Sequence, residues 1–204
     1  LVFLIFSKIV SWAQAPNISY PINTDFYPND QGYKYATNTA MNPLIPVNIG
    51  GPLPNAIYGQ VSTVAGIGIA GAIDGISTAA SFNVPSGVAV DALGNLYVAD
   101  RNNHKIRKIT PLGVVSTLAG SGVVGAIDGV GTAASFNDPI GVAVDATGNV
   151  YVVDRGNHKI RKISTSGLVS TFAGSGVIGA SDGIGSEASF NLPFGITIDL
   201  VGNL

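Results

Sequence analysis

The sequence predicts an all-β fold, a β-propeller of four-stranded antiparallel blades that is incomplete in this chain. Three observations lead there. From Val61 onward the sequence aligns to itself without a gap, with VSTVAG, VSTLAG and VSTFAG at 61, 115 and 169, each copy 54 residues after the last. Within a copy, short runs rich in Val, Ile and Leu are bounded by turn residues. Gly, at 27 of 204 residues, together with Pro interrupts the chain too often for long helices.

Taken in order, residues 1–15, LVFLIFSKIVSWAQA, are mostly apolar and end in Ala13-Gln14-Ala15, the small-x-small pattern that signal peptidase accepts. The segment is too short to cross a bilayer of ~30 Å as a helix. It is expected to be the remnant of a secretory signal, which makes the protein secreted, with no transmembrane segment. Residues 16–60 carry seven of the eleven prolines and five of the seven tyrosines, the composition of a partly extended spacer. The start at Leu1 rather than Met, and a third copy that stops at Leu204, lead us to expect a fragment of a longer chain.

Residues 61–204 hold two full copies and part of a third. In the first, strands are expected near Gly87–Asp91, Leu96–Asp100, Lys105–Thr110 and Val114–Ala119. The separators suit tight turns: Leu93-Gly94-Asn95, then Asn102-Asn103, which tolerate left-handed backbone, then Pro111-Leu112-Gly113. Four antiparallel strands in a repeat of this length describe a propeller blade. GVAVDA and LYVAD alternate imperfectly, as strands do when neighbouring layers cover both faces.

GIGIAG at 66–71, GSGVVG at 120–125 and GSGVIG at 174–179 each match the G-x-G-x-x-G pattern of dinucleotide loops. Such a loop needs a helix to begin at the third Gly. Here Gly125 is followed by AIDGVG, so the glycines are expected to shape the crossover between blades, with TAASF at 132–136 giving at most one helical turn.

With 46% hydrophobic and 11% charged residues the chain can bury a core. A net charge of −2 gives no field that favours nucleic acid, and the lack of Cys removes disulfides and thiolate chemistry. Eight of the ten basic residues, Arg101, Lys105, Arg107, Lys108, Arg155, Lys159, Arg161 and Lys162, line the third strand of each blade. Adjacent copies carry nearly balancing acids, so this stripe is read as a solvated blade edge, partly paired with Asp100 and Asp154.

The only histidines, His104 and His158, occupy equivalent turns and are expected to be structural, like Asp100, Asn103, Asp154 and Asn157 beside them. Asp74-Gly75, Asp128-Gly129 and Asp182-Gly183 offer one carboxylate per loop, too few for calcium, and read as turns. Asp91, Asp145 and Asp199 end the inner strand; there an Asp caps the following turn, and these three are the candidate ligand-facing positions. No Ser-His-Asp order, Walker loop or metal-spaced cluster occurs, so no catalytic, cofactor-binding or metal residue is assigned.

PSGVAVD, GNLYVAD and NHKIRKI, found twice in full, resemble NHL-repeat β-propellers, a family named for an Asn-His-Leu triplet. Lys105 and Lys159 stand where the triplet has Leu. The resemblance implies a ring that is usually six blades; some relatives are lyases or hydrolases with a channel metal, and others bind RNA. The run at 35–59, YATNTAMNPLIPVNIGGPLPNAIYG, resembles the opening half of immunoglobulin-like modules of bacterial surface proteins.

The function expected is therefore a secreted or cell-surface, non-enzymatic interaction module with a protein or glycan partner. The alternative is an extracellular propeller enzyme, a lyase or lactonase-like hydrolase. An enzyme has to break the repeat symmetry at the inner-strand ends, whereas differences between the copies read as conservative, such as Val98-Ala99 against Val152-Val153. Uncovered blade faces are expected to drive self-association.

Overall fold

A computed structural model describes residues 61–204, together with a two-residue antiparallel pairing of β1 (Ile18–Ser19) with β2 (Val47–Asn48). The signal-like segment lies outside the described residues, and so does the run that resembles immunoglobulin-like modules apart from Val47 and Asn48.

Two antiparallel sheets follow one another along the chain. The first contains β3 (Gly75–Ile76), β4 (Pro85–Val90), β5 (Leu96–Asp100), β6 (Lys105–Ile109) and β7 (Val114–Ala119), in spatial order β3-β7-β6-β5-β4. The second repeats it with β8 (Gly129–Val130), β9 (Pro139–Val144), β10 (Val150–Asp154), β11 (Lys159–Ile163) and β12 (Leu168–Ala173). The four main strands of each blade fall where the sequence places them. The fifth was not foreseen: the crossover lays two residues along the outer strand, pairing Gly129 with Val169 and Val130 with Leu168, before returning to the inner strand. No α-helix begins at Gly71, Gly125 or Gly179; the only helical turn of this crossover is a 3-10 turn at Gly131–Ala133.

The central strand explains the imperfect alternation. Every residue of β5 and of β10 is buried. Leu96 and Val98 join Phe82, Ile109 and Val115 on one face of the first blade. Tyr97 and Ala99 point the other way and pack with Phe136, Val142, Val150 and Val152 of the second. A run such as LYVAD is thus apolar on both faces because each face meets its own partner layer.

Inner strands approach closely. Ser86 Oγ donates to the Ile140 carbonyl at 3.0 Å. A Cβ added at Gly87 would lie 2.2 Å from that oxygen, so only Gly fits there. Gly141 repeats the approach toward the carbonyl of Phe194, at 3.0 Å from an added Cβ.

Candidate functional site

Strand register divides the polar residues between two ends of the blades. Pro85 is opposite Asp100, Asp100 opposite Lys105, and Ile106 opposite Ala119, which gathers residues 84, 100–105 and 119–125 at one end. Val90, Leu96, Ile109 and Val115 mark the other, where the Asp91 turn lies.

At that second end, Asp91 and Asp145 cap their own turns. Asp91 Oδ1 accepts the N–H groups of Leu93 (2.9 Å) and Asn95 (2.8 Å), while Oδ2 takes Asn95 Nδ2 (2.8 Å) and the Tyr97 hydroxyl (3.0 Å). Asp145 does the same with Thr147 and Asn149, and Asp199 with Val201 and Asn203. Partial burial alone would raise the Asp145 carboxyl, but hydrogen bonds from Asn149 and Thr147 outweigh it and hold the group down at about 2. Burial and the neighbouring Asp91 carboxylate push the Tyr97 phenol up to about 12. With their oxygens engaged by these donors, the three aspartates are held as turn caps.

Near the first end lies a buried ion network. Arg107 Nη1 donates to Asp100 Oδ2 (2.7 Å) and the Ser81 carbonyl (3.0 Å); Nη2 donates to Asp74 Oδ1 (2.6 Å) and the Ile73 carbonyl (2.9 Å). Asp100 also accepts the Asn83 N–H and Asn103 Nδ2, both at 2.8 Å. The second blade reproduces this with Arg161, Asp154, Asp128, Asn137 and Asn157. Burial pushes the Asp154 carboxyl up against the opposing donors Asn157, the Asn137 N–H and Arg161. Both guanidiniums lie over aromatic rings, Arg107 at 5.0 Å from the centroid of Phe82 and Arg161 at 5.4 Å from that of Phe136.

The expected solvated basic edge is thereby corrected: Arg107 and Arg161 are fully buried. Asp74 and Asp128, read from sequence as turn residues, are the carboxylates that tie each crossover to the third strand of its blade. A buried guanidinium is stable only when its charge is met, and two aspartates and two carbonyls per blade do so.

His104 and His158 close their 3-10 turns in left-handed backbone, with φ of 51° and 55°. Each ring reaches across to the next copy: His104 Nδ1 accepts the Asp138 N–H at 3.2 Å and His158 Nδ1 accepts the Leu192 N–H at 3.0 Å. These histidines staple adjacent copies together.

The copies are not alike at every position. Asp138 stands where the other copies have Val84 and Leu192, just before the inner strand, and the expectation of conservative differences fails at this position. All three adopt positive φ, of 52°, 56° and 47° for Val84, Asp138 and Leu192, a conformation that Asp tolerates better than branched apolar residues. The Asp138 carboxylate draws in two arginines. Arg101 of the first blade donates through Nε to Oδ1 and through Nη2 to Oδ2 (3.3 Å), and Arg155 Nη1 of the second blade donates to Oδ2 at 2.8 Å. Burial would raise this carboxyl, but hydrogen bonds from Arg101 and Arg155 more than reverse that and lower it. Aligning VPSG, DPIG and LPFG was the signal that could have exposed it.

The same end presents apolar loop tips. Val123 and Val124 are 69% and 57% exposed, although their loop lies between two blades that are both present. A Cβ at Gly122 would sit 3.6 Å from the Asn103 carbonyl of the first blade, and the Gly125 carbonyl accepts Asn157 Nδ2 of the second at 2.7 Å. Ile69, Val177 and Ile178 repeat the exposure in the other copies. Among the described residues no three His, Asp or Glu side chains converge to hold a metal ion, and no helix is long and apolar enough to cross a membrane.

Comparison with known proteins agrees with this architecture. The NHL repeat model matches residues 82–109 and 136–163, one segment in each blade. Over 91 residues the chain is 37% identical to Suppressor of Quenching 1, chloroplastic, of Arabidopsis thaliana, covering 44% of this chain and 9% of that protein. It is 38% identical over 95 residues to NHL repeat-containing protein 2 of Homo sapiens, covering 45% of this chain and 13% of the relative. A solved structure from Bacteroides thetaiotaomicron, a structural genomics protein of unknown function, superposes with a TM-score of 0.57 at 31% identity, covering 69% of this chain and 34% of that one. The chain thus spans a small part of these curated relatives and about a third of the solved structure. Fold and repeat together define a β-propeller segment, and each of its two complete blades contains a stretch that matches the NHL repeat model.

Proposed function

We propose that this chain is part of a secreted or cell-surface propeller that binds a partner without chemically changing it, through the blade end that carries the loop tips at Ile69, Val123-Val124 and Val177-Ile178. The observation that carries the reading is the exposure of Val123 and Val124 between two blades already in place, since a missing neighbour in the repeat array does not account for it. Aliphatic tips free of charge suit the apolar centre of a protein interface and favour a protein over a glycan as the partner. The secretory character of residues 1–15 supports an extracellular location, and the resemblance of 35–59 to immunoglobulin-like surface modules supports a place on a bacterial surface.

The test is quantitative capture from an extracellular fraction by the full chain and by a Val123→Ser/Val124→Ser/Val177→Ser/Ile178→Ser variant with an unchanged melting curve. A partner held by the first and lost by the second is the expected result. Equal capture by both contradicts the reading. A second reading, a lyase or hydrolase with a channel metal, is favoured by one observation, the unique Asp138; metal-dependent turnover abolished by Asp138→Asn would replace the binding reading with it.

A further inference from the structure

We propose that Arg101 and Arg155 form a binding site for an oxyanion, the carboxylate or phosphate group of a ligand, with Asp138 as an internal counter-ion that the ligand replaces. The inference goes beyond the partner-binding reading and does not depend on the apolar tips.

Two guanidiniums from successive blades meet one carboxylate, so the cluster keeps a net positive charge, because arginine does not deprotonate in proteins. The cluster is not sealed: the side chains of Arg101, Arg155 and Asp138 are 38%, 29% and 21% exposed. Among the described residues Arg101 Nη1 and Arg155 Nη2 make no hydrogen bond, and Arg155 Nε is buried without a partner. Donors are therefore in excess. The planar fork of arginine matches carboxylate and phosphate oxygens in pairs, and Asp138 already shows the fit of one such group between the two side chains. Val84 and Leu192 at the equivalent positions make this junction the one, among the described copies, where two arginines are drawn together. Its place beside the start of the inner strand, with Gly87 and Gly141 bringing successive inner strands together, puts it near the propeller axis rather than on the outer rim. His104 supports the geometry from behind by holding the Asp138 N–H.

The probe is the Nε–H NMR signals of Arg101 and Arg155 in the full chain, titrated with inorganic phosphate and separately with acetate at constant ionic strength. The expected result is a saturable shift of both signals, and the tighter of the two titrations tells whether a phosphate or a carboxylate is preferred. Asp138→Asn tolerates the same positive φ and removes the competing charge, so it should tighten binding by about tenfold or more. Arg101→Ala should abolish the shift at Arg155. If Asp138→Asn does not fold, Arg155→Lys keeps the charge without the fork and should weaken binding by about tenfold. Signals that move with neither anion in the wild-type chain overturn the proposal. So do shifts that survive undiminished in Arg101→Ala. Loss of this response would leave the capture test of the loop tips unaffected, so the two readings fail separately.

Discussion

Replacing Arg161 with Met tests whether the buried ion network holds the crossover to its blade. Met preserves most of the aliphatic stem over Phe136 and removes four hydrogen bonds: to Asp154, Asp128, and the carbonyls of Ser135 and Ile127. The Asp128 share is small, because its side chain is 53% exposed and water can replace the guanidinium, giving at most ~1 kcal/mol. The Asp154 share is larger. That carboxylate is fully buried and would be left with only the Asn137 N–H and Asn157 Nδ2 as donors. Breaking one side of a buried pair costs about 3–5 kcal/mol, so the expected loss is about 4 kcal/mol, a large part of the ~5–15 kcal/mol that holds a typical domain. Adding Asp154→Asn removes the stranded charge while keeping an oxygen for the Asn137 N–H, and should recover roughly half of the loss. Urea unfolding of the full chain supplies both numbers, and hydrogen exchange at the Gly125 and Ile127 amides shows whether the crossover loosens first. A loss below ~1 kcal/mol for Arg161→Met would refute the reasoning, since that is the size of a solvated surface pair.

Other outcomes follow from the same geometry. Gly87→Ala drives a methyl to 2.2 Å from the Ile140 carbonyl and should cost about 3 kcal/mol or more in urea melts. The Asp145 carboxyl is held at about 2 against ~3.9 in an unfolded chain, so its stabilisation is present above pH ~4 and lost as the pH falls through about 2; the carboxyls of Asp91 and Asp199 are also lowered and lose their stabilisation in the same direction, as the pH falls. Urea midpoints measured from pH 6 down to 2 should fall over that window, and less steeply in Asp145→Asn. The side chains of Val88 and Val90 are exposed on the inner strand of the first blade, where Val142 of the second is covered by the core between the blades. Sedimentation velocity should show concentration-dependent association of the full chain that Val88→Asp/Val90→Asp reduces.

The architecture was legible because it is written in repetition. Strand positions, turn residues and the role of glycines in the crossover follow from hydrophobic runs and Gly-Pro punctuation that recur every 54 residues. The ion network was harder to see. Arg107 and Lys108 are neighbours in sequence with the same charge, yet strand alternation sends Arg107 into the blade and Lys108 out toward the ring of Tyr97, 5.7 Å from its centroid. The Asp74 that meets Arg107 is 33 residues away in what reads as an ordinary Asp-Gly turn. Asp138 was missed for the opposite reason: attention to what repeats passes over what does not. Its two arginine partners come from different blades, and only the packed structure brings them to one carboxylate.

The most direct measurement of the account is hydroxyl-radical footprinting of the full chain with and without its captured partner. Protection at Val123, Val124, Val177 and Ile178, with the turns around Asp91 and Asp145 unchanged, is the predicted pattern. Protection confined to residues 91–95 and 145–149, with the loop tips still reactive, would place the partner at the opposite end of the blades and contradict the account.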